Sequence, residues 1–132
     1  MGDRARRVPA PVNGGPGDAR LIDTLAAMCH LFRPRFTLVY VLEVPQAMPL
    51  DAELPAELAR GEAVLGAAES ELRKRIGDKN GEILTELLQA RSAGAAIVDE
   101  AMDQRADAVV MATENRLTHG KISFGDSVIY VL

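Results

Sequence analysis

The sequence predicts one doubly wound α/β domain, in which a parallel sheet carries helices on both faces. Short β-branched and aromatic runs alternate with apolar stripes of helical period along the chain. The strongest run, Phe36 to Val44, is apolar at nearly every residue, and a strand buried on both faces is typical of a parallel sheet. The 132 residues contain no internal repeat and no interior linker. Because crossovers between parallel strands are right-handed, we expect a Rossmann-like sheet with the strand order 3-2-1-4.

The amino-terminal part of the chain is the least regular. Residues 1–7 are basic and predict a disordered tail in front of a domain that spans residues 8–132. The first strand contains Pro9 and Pro11, and a residue without an N–H group is unfavourable in a central strand. The stretch "GGPGD" then breaks the chain, and a helix begins near Asp18, with Asp18 or a neighbour as its expected N-cap.

A long helix over residues 56–76 follows the second strand. Its exposed side carries two i,i+4 ion pairs, Glu69 with Arg73 and Glu71 with Arg75. The apolar residues on its other side recur at helical spacing, which predicts that this face packs on the sheet.

The last third of the chain continues the alternation. "GEILTELLQ" predicts the third strand, and "DAVVMAT" predicts the fourth. Between them lies a short helix capped by Ser92. Its expected inward residues are Ile97, Val98, Ala101 and Met102. A final helix is expected to begin near Gly125 or Asp126 and to be cut off at Leu132, which would leave the sheet without a fifth strand.

The composition predicts a soluble globular protein with a cytoplasmic location. Hydrophobic residues make up 48%, charged residues 26%, and the net charge is −4. This charge offers no basic field to attract nucleic acid, and no apolar run approaches the roughly 20 residues that span a bilayer. The single cysteine, Cys29, lies in an apolar helical stripe and is interpreted as a small buried hydrophobe. We therefore expect neither nucleic acid binding nor membrane insertion.

Two loops at the carboxyl ends of strands are candidate binding loops, because ligands of doubly wound sheets bind at that edge. "NGGPG" joins the first strand to a helix but matches neither the G-x-G-x-x-G nor the P-loop pattern. "TENRLTHGKISFGD" follows the fourth strand and is longer than most such connections. Three basic side chains lie in it: Arg116, His119 and Lys121. Since the predicted last helix begins at its end, backbone N–H groups there would face an anion.

The chain resembles the universal stress protein family, which has the UspA-like, adenine-nucleotide α-hydrolase-like fold. "ADAVVMA" and "GDSVIYVL" are similar to the family's fourth strand and to the segment after its nucleotide loop, and "RVPAPVNG" is similar to its first strand. The family's loop pattern G-x2-G-x9-G-[ST] is reproduced in spacing by Ala112, Asn115 and Gly125, followed by Asp126. "LVYVLEVP" is similar to the second strand. The resemblance covers the chain from about Arg7 to Leu132.

The resemblance implies a set of residues that bind an adenine nucleotide such as ATP, with Mg²⁺ as an optional partner of the phosphates. The implied nucleotide-binding residues are Asn13, Gly14, Val41, Ala112, Asn115, Gly125, Asp126 and Ser127. Asn13 stands where the family has an acidic residue, and Asp126 stands where it has a Ser or Thr that meets phosphate. The carboxylate of Asp126 would repel a phosphate, so we expect weak binding.

Three interpretations of function follow. The first is a stress-response signalling module that binds an adenine nucleotide. The second is a non-nucleotide dimerisation or interaction domain, such as the regulatory part of a transporter or larger assembly. The third, an enzyme of the wider nucleotide-binding α/β group, has no acid–base pair or cysteine motif to support it, so we expect no catalytic residues and at most slow, incidental ATP hydrolysis. The resemblance also implies a homodimer, and we expect the exposed edge of the fourth strand to promote self-association.

Overall fold

The computed structural model describes residues 5–77, 81–112 and 127–132. In chain order the elements are β1 (Arg6–Pro11), α1 (Gly17–Met28), β2 (Pro34–Glu43), α2 (Pro55–Ile76), β3 (Glu82–Ala90), α3 (Ala93–Gln104), β4 (Ala108–Ala112) and β5 (Ser127–Val131). The alternation of strands and helices confirms the predicted α/β class. Because β1 begins at Arg6, the last two residues of the expected tail belong to the sheet. Residues 1–4 lie outside the described part.

Three strands form the main sheet in the order β1-β2-β3, and both pairings are parallel. Pro11 lies opposite Val39, and Val41 lies opposite Leu88. The strand β2 is therefore central, as its continuous apolar sequence predicts, since both of its edges are paired and both of its faces are covered.

The fourth strand lies beside β1 but does not join the three-stranded sheet. The N–H of Asp107 donates to the carbonyl of Arg7 at 2.8 Å, which brings the start of β4 to the start of β1. The N–H of Val12 donates to Val39 in β2. Because the backbone N–H groups of alternate residues point to opposite edges of a strand, the backbone nitrogens of Pro9 and Pro11 face β4. Both prolines lack the N–H that a ladder of hydrogen bonds needs. This explains why β3, β2 and β1 pair regularly in the predicted order, whereas β1 and β4 do not form a ladder.

The carboxyl-terminal segment is a strand, so the prediction of a final helix was wrong. β5 pairs with β4 in antiparallel fashion, with Val109 opposite Tyr130 and Ala112 opposite Ser127. The β-branched and aromatic residues of "SVIYV" fit a pleated strand better than a helix. β5 also covers the edge of β4 that was expected to be exposed, so that premise of the self-association argument was wrong.

The helices lie on two faces of the sheet and enclose two apolar clusters. On one face α1 and α2 pack on β1, β2 and β4 around Phe36, Leu38 and Val110, all fully buried. On the other face α3 contributes Ile97 and Ala101, which pack against Val39 and Val109. The first cluster is much larger, and Cys29 packs at its margin, as its place in the apolar stripe predicts.

The second helix has the predicted surface and end. Glu69 and Arg73 form an ion pair at 2.8 Å, and Glu71 and Arg75 form one at 3.3 Å. α2 ends at Gly77, whose φ of 56° is easily adopted by glycine.

The third helix is less buried than its apolar pattern predicted. Ser92 is its N-cap, as expected, and the Ser92 hydroxyl accepts a hydrogen bond from the Ala95 N–H at 3.4 Å. However, Val98 is 58% exposed and Met102 is 71% exposed. The expectation that both point inward was wrong, since α3 buries only the narrow stripe that contacts the sheet.

Candidate functional site

The loop after β1 is held by its own side chains. The carboxylate of Asp18 accepts hydrogen bonds from the N–H groups of Asn13 at 3.2 Å and Gly14 at 2.8 Å. The side-chain oxygen of Asn13 accepts from the Gly15 N–H at 2.7 Å. Three successive backbone donors of the glycine-rich loop therefore have acceptors in the loop or in the first turn of the helix that follows it.

The sequence predicts Asp18 or a neighbouring residue as the N-cap of α1, and the structure shows a neighbour in that position. The N-cap is Pro16, which makes no side-chain capping bond, so Asp18 falls within the first turn of the helix. From there its carboxylate reaches back to the loop. A negative charge in the first turn also suits the helix dipole.

Gly14 occupies a position that admits only glycine. Its φ is +82°, and a Cβ built on it would lie 2.9 Å from a methyl group of Val64 in α2. The same Cβ position lies 3.8 Å from a guanidinium nitrogen of Arg60. The turn thus touches α2 directly, and Arg60 brings a positive charge to it.

A cleft of about 530 Å³ opens next to this turn, between α1 and α2. Its walls are small apolar side chains of both helices, such as Ala19, Ala63 and Ala67, and its polar rim includes Asp18 and Arg60. A cleft with apolar walls and a few polar groups is the usual form of a small-molecule site.

The end of β4 meets the start of α1. A Cβ on Gly17 would lie 2.9 Å from the Cβ of Ala112, a distance that real Cβ atoms do not show. Ala112 also lies opposite Ser127 in the β4–β5 pair. The structure therefore brings Ala112 and the Ser127 backbone to the edge where the loop after β1 lies.

Val41 lies at the same edge of the sheet but presents its side chain to the α3 face. Since Pro11 is opposite Val39, two residues further along each chain bring Asn13 level with Val41. The half-buried side chain of Val41 packs at the margin of the Val39 and Ile97 cluster. Any contact of Val41 with a ligand at the opposite face would use its backbone.

Three of the predicted site residues, Asn115, Gly125 and Asp126, lie outside the described residues, as do Arg116, His119 and Lys121. The structure therefore neither supports nor contradicts their assigned roles.

Sequence reasoning missed three residues that shape this site: Gly17, Asp18 as the partner of the loop, and Arg60. The spacing of Asp18, four residues after Gly14, was a visible signal for a side chain that reaches back to loop amides. Arg60 gave no such signal, because its approach to Gly14 depends on how α2 packs against α1.

Two further properties concern metals and membranes. Within residues 5–77, 81–112 and 127–132, no three His, Cys, Asp or Glu side chains are grouped so as to hold a metal ion. No helix in this part of the chain is both long enough and apolar enough to cross a membrane.

Comparisons with known proteins agree with this fold. The solved structure of a universal stress protein from Archaeoglobus fulgidus is 20% identical, with a TM-score of 0.66, and the match covers 92% of this chain and 85% of that one. A structure of the universal stress protein from the same organism in complex with dAMP is 20% identical over 83% of this chain and 81% of that one, with a TM-score of 0.61. A universal stress protein in complex with cAMP is 14% identical over 78% and 68% of the two chains, with a TM-score of 0.59.

These structures share the fold at low sequence identity. No curated protein sequence matches the chain. The family model described as "Universal stress protein family" matches residues 5–132, which is nearly the whole chain. This chain therefore belongs to the universal stress protein family.

Proposed function

We propose that this protein is a regulatory module that binds an adenine nucleotide at the carboxyl edge of β1 and β4. The observation that carries the proposal is the approach of Gly17 to Ala112, which lies opposite Ser127 in the β4–β5 pair. The loop that leads to Gly17 contains Gly14, which lines the cleft between α1 and α2. The dAMP and cAMP complexes of two structural neighbours support it, because both ligands are adenine nucleotides.

We expect the loop after β1 to form part of the wall of the site rather than to bind a phosphate through its amides. Its N–H groups at Asn13, Gly14 and Gly15 are already bonded to Asp18 and Asn13, so a phosphate would have to displace an internal acceptor. Arg60 supplies positive charge at the same place. A guanidinium group suits a phosphate geometrically, so Arg60 is the described residue that we expect to contact the anionic part of the ligand.

The loop after β4 would supply the remaining contacts, through Asn115, Gly125 and Asp126. The Asp126 carboxylate opposes a phosphate, at very roughly 1 kcal/mol for close charges in a partly solvated site. We therefore propose weak binding of AMP or ATP, with Mg²⁺ as an optional companion of a triphosphate.

Calorimetric titration with AMP and with Mg-ATP tests this proposal. Arg60→Ala is expected to weaken binding about fivefold to tenfold, the equivalent of roughly 1–1.4 kcal/mol. Lys74→Ala is the matched control, because it removes one positive charge near the other end of α2. Asp126→Ser is expected to tighten binding about tenfold, with a smaller gain at high salt. Absence of binding at millimolar nucleotide in the original protein and in Asp126→Ser would refute the proposal.

A second candidate function is an interaction domain that works without a nucleotide, as a homodimer or within a larger assembly. The bonded amides of the first loop favour it, since they leave no preformed anion cradle there. Mass spectrometry of the supernatant after denaturation separates the two candidates. Co-purified AMP, ADP or ATP supports the first. A nucleotide-free protein that also shows no binding in the titration, and that light scattering shows to be dimeric, supports the second.

A further inference from the structure

A polar cavity of about 390 Å³ lies under the carboxyl-terminal half of α3, on the side of the sheet where β3 lies. The side chains that matter to its chemistry are Arg7, Arg35, Thr37, Glu86, Glu100 and Gln104. These groups lie beside the small apolar cluster through which α3 packs on the sheet. α3 is therefore attached by an apolar contact on one side and by a polar one on the other.

The polar contact contains two carboxyl groups that line the same cavity. Glu86 in β3 and Glu100 in α3 are placed so that one carboxyl group can donate a hydrogen bond to the other. A hydrogen bond between two carboxyl groups needs a proton on one of them, since carboxylates only accept. The Oε1 atom of Glu86 is enclosed and has no hydrogen-bond partner among the described groups. An enclosed oxygen without a donor disfavours the ionised form of Glu86.

The charged groups around the pair do not neutralise it. From α3, Asp103 adds a second negative charge near Glu86. From β1, Arg7 donates to the backbone carbonyl of Gln104 at 2.7 Å, and from β2, Arg35 pairs with Glu82 at 2.8 Å. Both guanidinium groups are thus engaged elsewhere.

The remaining hydrogen bonds connect the pair to α3 and the sheet. The Gln104 amide donates to Oε2 of Glu100 at 2.6 Å. The Thr37 hydroxyl donates to the side-chain oxygen of Gln104 at 3.5 Å. Both bonds orient Glu100 towards the sheet and leave the proton between Glu86 and Glu100 to complete the network.

We propose that a proton shared by Glu86 and Glu100 holds α3 against β3, so that the packing of this helix on the sheet responds to pH. Burial, the hydrogen bond with Glu100, and the negative charges of Glu100 and Asp103 together raise the pKa of Glu86 to about 7. When α3 is detached, Glu86 faces water and its pKa returns towards the ordinary value of about 4.3 for glutamic acid.

The direction of the effect follows from these two states. The attached state of α3 binds the proton more tightly than the detached state does. The stabilisation that the proton gives to the attached state is therefore complete below about pH 4.5 and is lost as the pH rises through about 7. Between pH 6 and pH 8 the equilibrium constant for opening α3 is expected to increase about tenfold for one proton with these pKa values. Neutral pH lies inside this window, so a modest change in pH would change the equilibrium constant for opening α3.

Amide hydrogen exchange of the whole chain between pH 5.5 and pH 8.5, expressed as protection relative to intrinsic exchange, tests the proposal. The amides of α3 are expected to lose about tenfold in protection from pH 6 to pH 8, while those of α1 keep theirs. Glu86→Gln replaces the carboxyl group with a neutral donor and is expected to make α3 protection independent of pH. Glu62→Gln, on the exposed side of α2, is the control and is expected to keep the original pH dependence.

Direct titration of the glutamate carboxyl carbons by NMR in the unmodified protein provides a second measurement that does not depend on any variant folding. A glutamate that titrates near pH 7 and disappears from that region in Glu86→Gln supports the proposal. Three results would each refute the shared proton. They are titration of every glutamate below about pH 5.5, the same pH dependence of amide protection in α3 and α1, and a Glu86→Gln variant that keeps the pH dependence of the original protein.

Discussion

The close approach of α2 to the sheet at Gly61 gives a sharp test of the packing. A Cβ built on Gly61 would lie 2.7 Å from Cδ1 of Tyr40 and 2.8 Å from Cδ1 of Leu87. Both distances are shorter than real Cβ contacts, so Gly61→Ala must push α2 away from β2 and β3 or move two side chains. Overpacking of this kind costs about 1–3 kcal/mol. Opposing this cost, alanine favours a helix interior over glycine by about 1 kcal/mol.

Gly66 in the same helix separates these two effects. A Cβ on Gly66 meets nothing within 4 Å, so Gly66→Ala is expected to raise the free energy of unfolding by up to about 1 kcal/mol through helix propensity alone. Gly61→Ala receives the same gain but loses about 1–3 kcal/mol to the clash. The two variants should therefore differ by about 1–3 kcal/mol in urea unfolding, or by roughly 4–12 °C in Tm. If Gly61→Ala stabilises the protein as much as Gly66→Ala does, α2 does not lie this close to the sheet.

Three further predictions concern the loop, the end of β4 and α3. Gly17→Ala is expected to destabilise the protein by about 1–3 kcal/mol, because the added Cβ would clash with the Cβ of Ala112. Adding Ala112→Gly should recover part of this loss. A double-mutant cycle in urea should measure the recovery as a favourable coupling of about 1 kcal/mol. Asp18→Ala should cost about 1 kcal/mol and speed hydrogen exchange at Asn13 and Gly14, because both amides lose their acceptor; unchanged exchange there would contradict the loop geometry. Ser92→Ala should cost about 1 kcal/mol in thermal unfolding through loss of the N-cap of α3, and an unchanged Tm would mean that this cap contributes nothing.

The architecture was predictable where an element's own sequence decides its structure. The continuous apolar run of β2 and the i,i+4 charges of α2 identified both elements, because burial and helical spacing leave a local pattern. The exposure of Val98 and Met102 was not predictable in this way. Periodicity shows which residues share a helix face, but the width of the buried stripe depends on what packs over it. Among the described residues, α3 packs mainly on β1, β2 and β3, and Val98 and Met102 lie outside that contact.

The prolines of β1 show how a local signal acquires its meaning from topology. In the sequence, Pro9 and Pro11 argue against a central strand, yet β1 pairs with β2 along its whole length. The reason is that both prolines point to the other edge, where their missing N–H groups interrupt pairing with β4 instead. Which edge a proline affects depends on strand register, and register is fixed only when the sheet assembles.

Tertiary structure also decides whether the loop after β1 can bind a phosphate. Its glycines predicted a candidate phosphate cradle, because such loops usually present free amides. Here Pro16 sets the start of α1, Asp18 falls in the first turn, and its carboxylate consumes the amides of Asn13 and Gly14. A phosphate that approached this turn would find the two amides already bonded to the Asp18 carboxylate. It would therefore gain little from these amides. The decision between nucleotide binding and a nucleotide-free interaction domain therefore depends on the segment that links Ala112 to Ser127, which explains why a substitution at Asp126 is the most informative one.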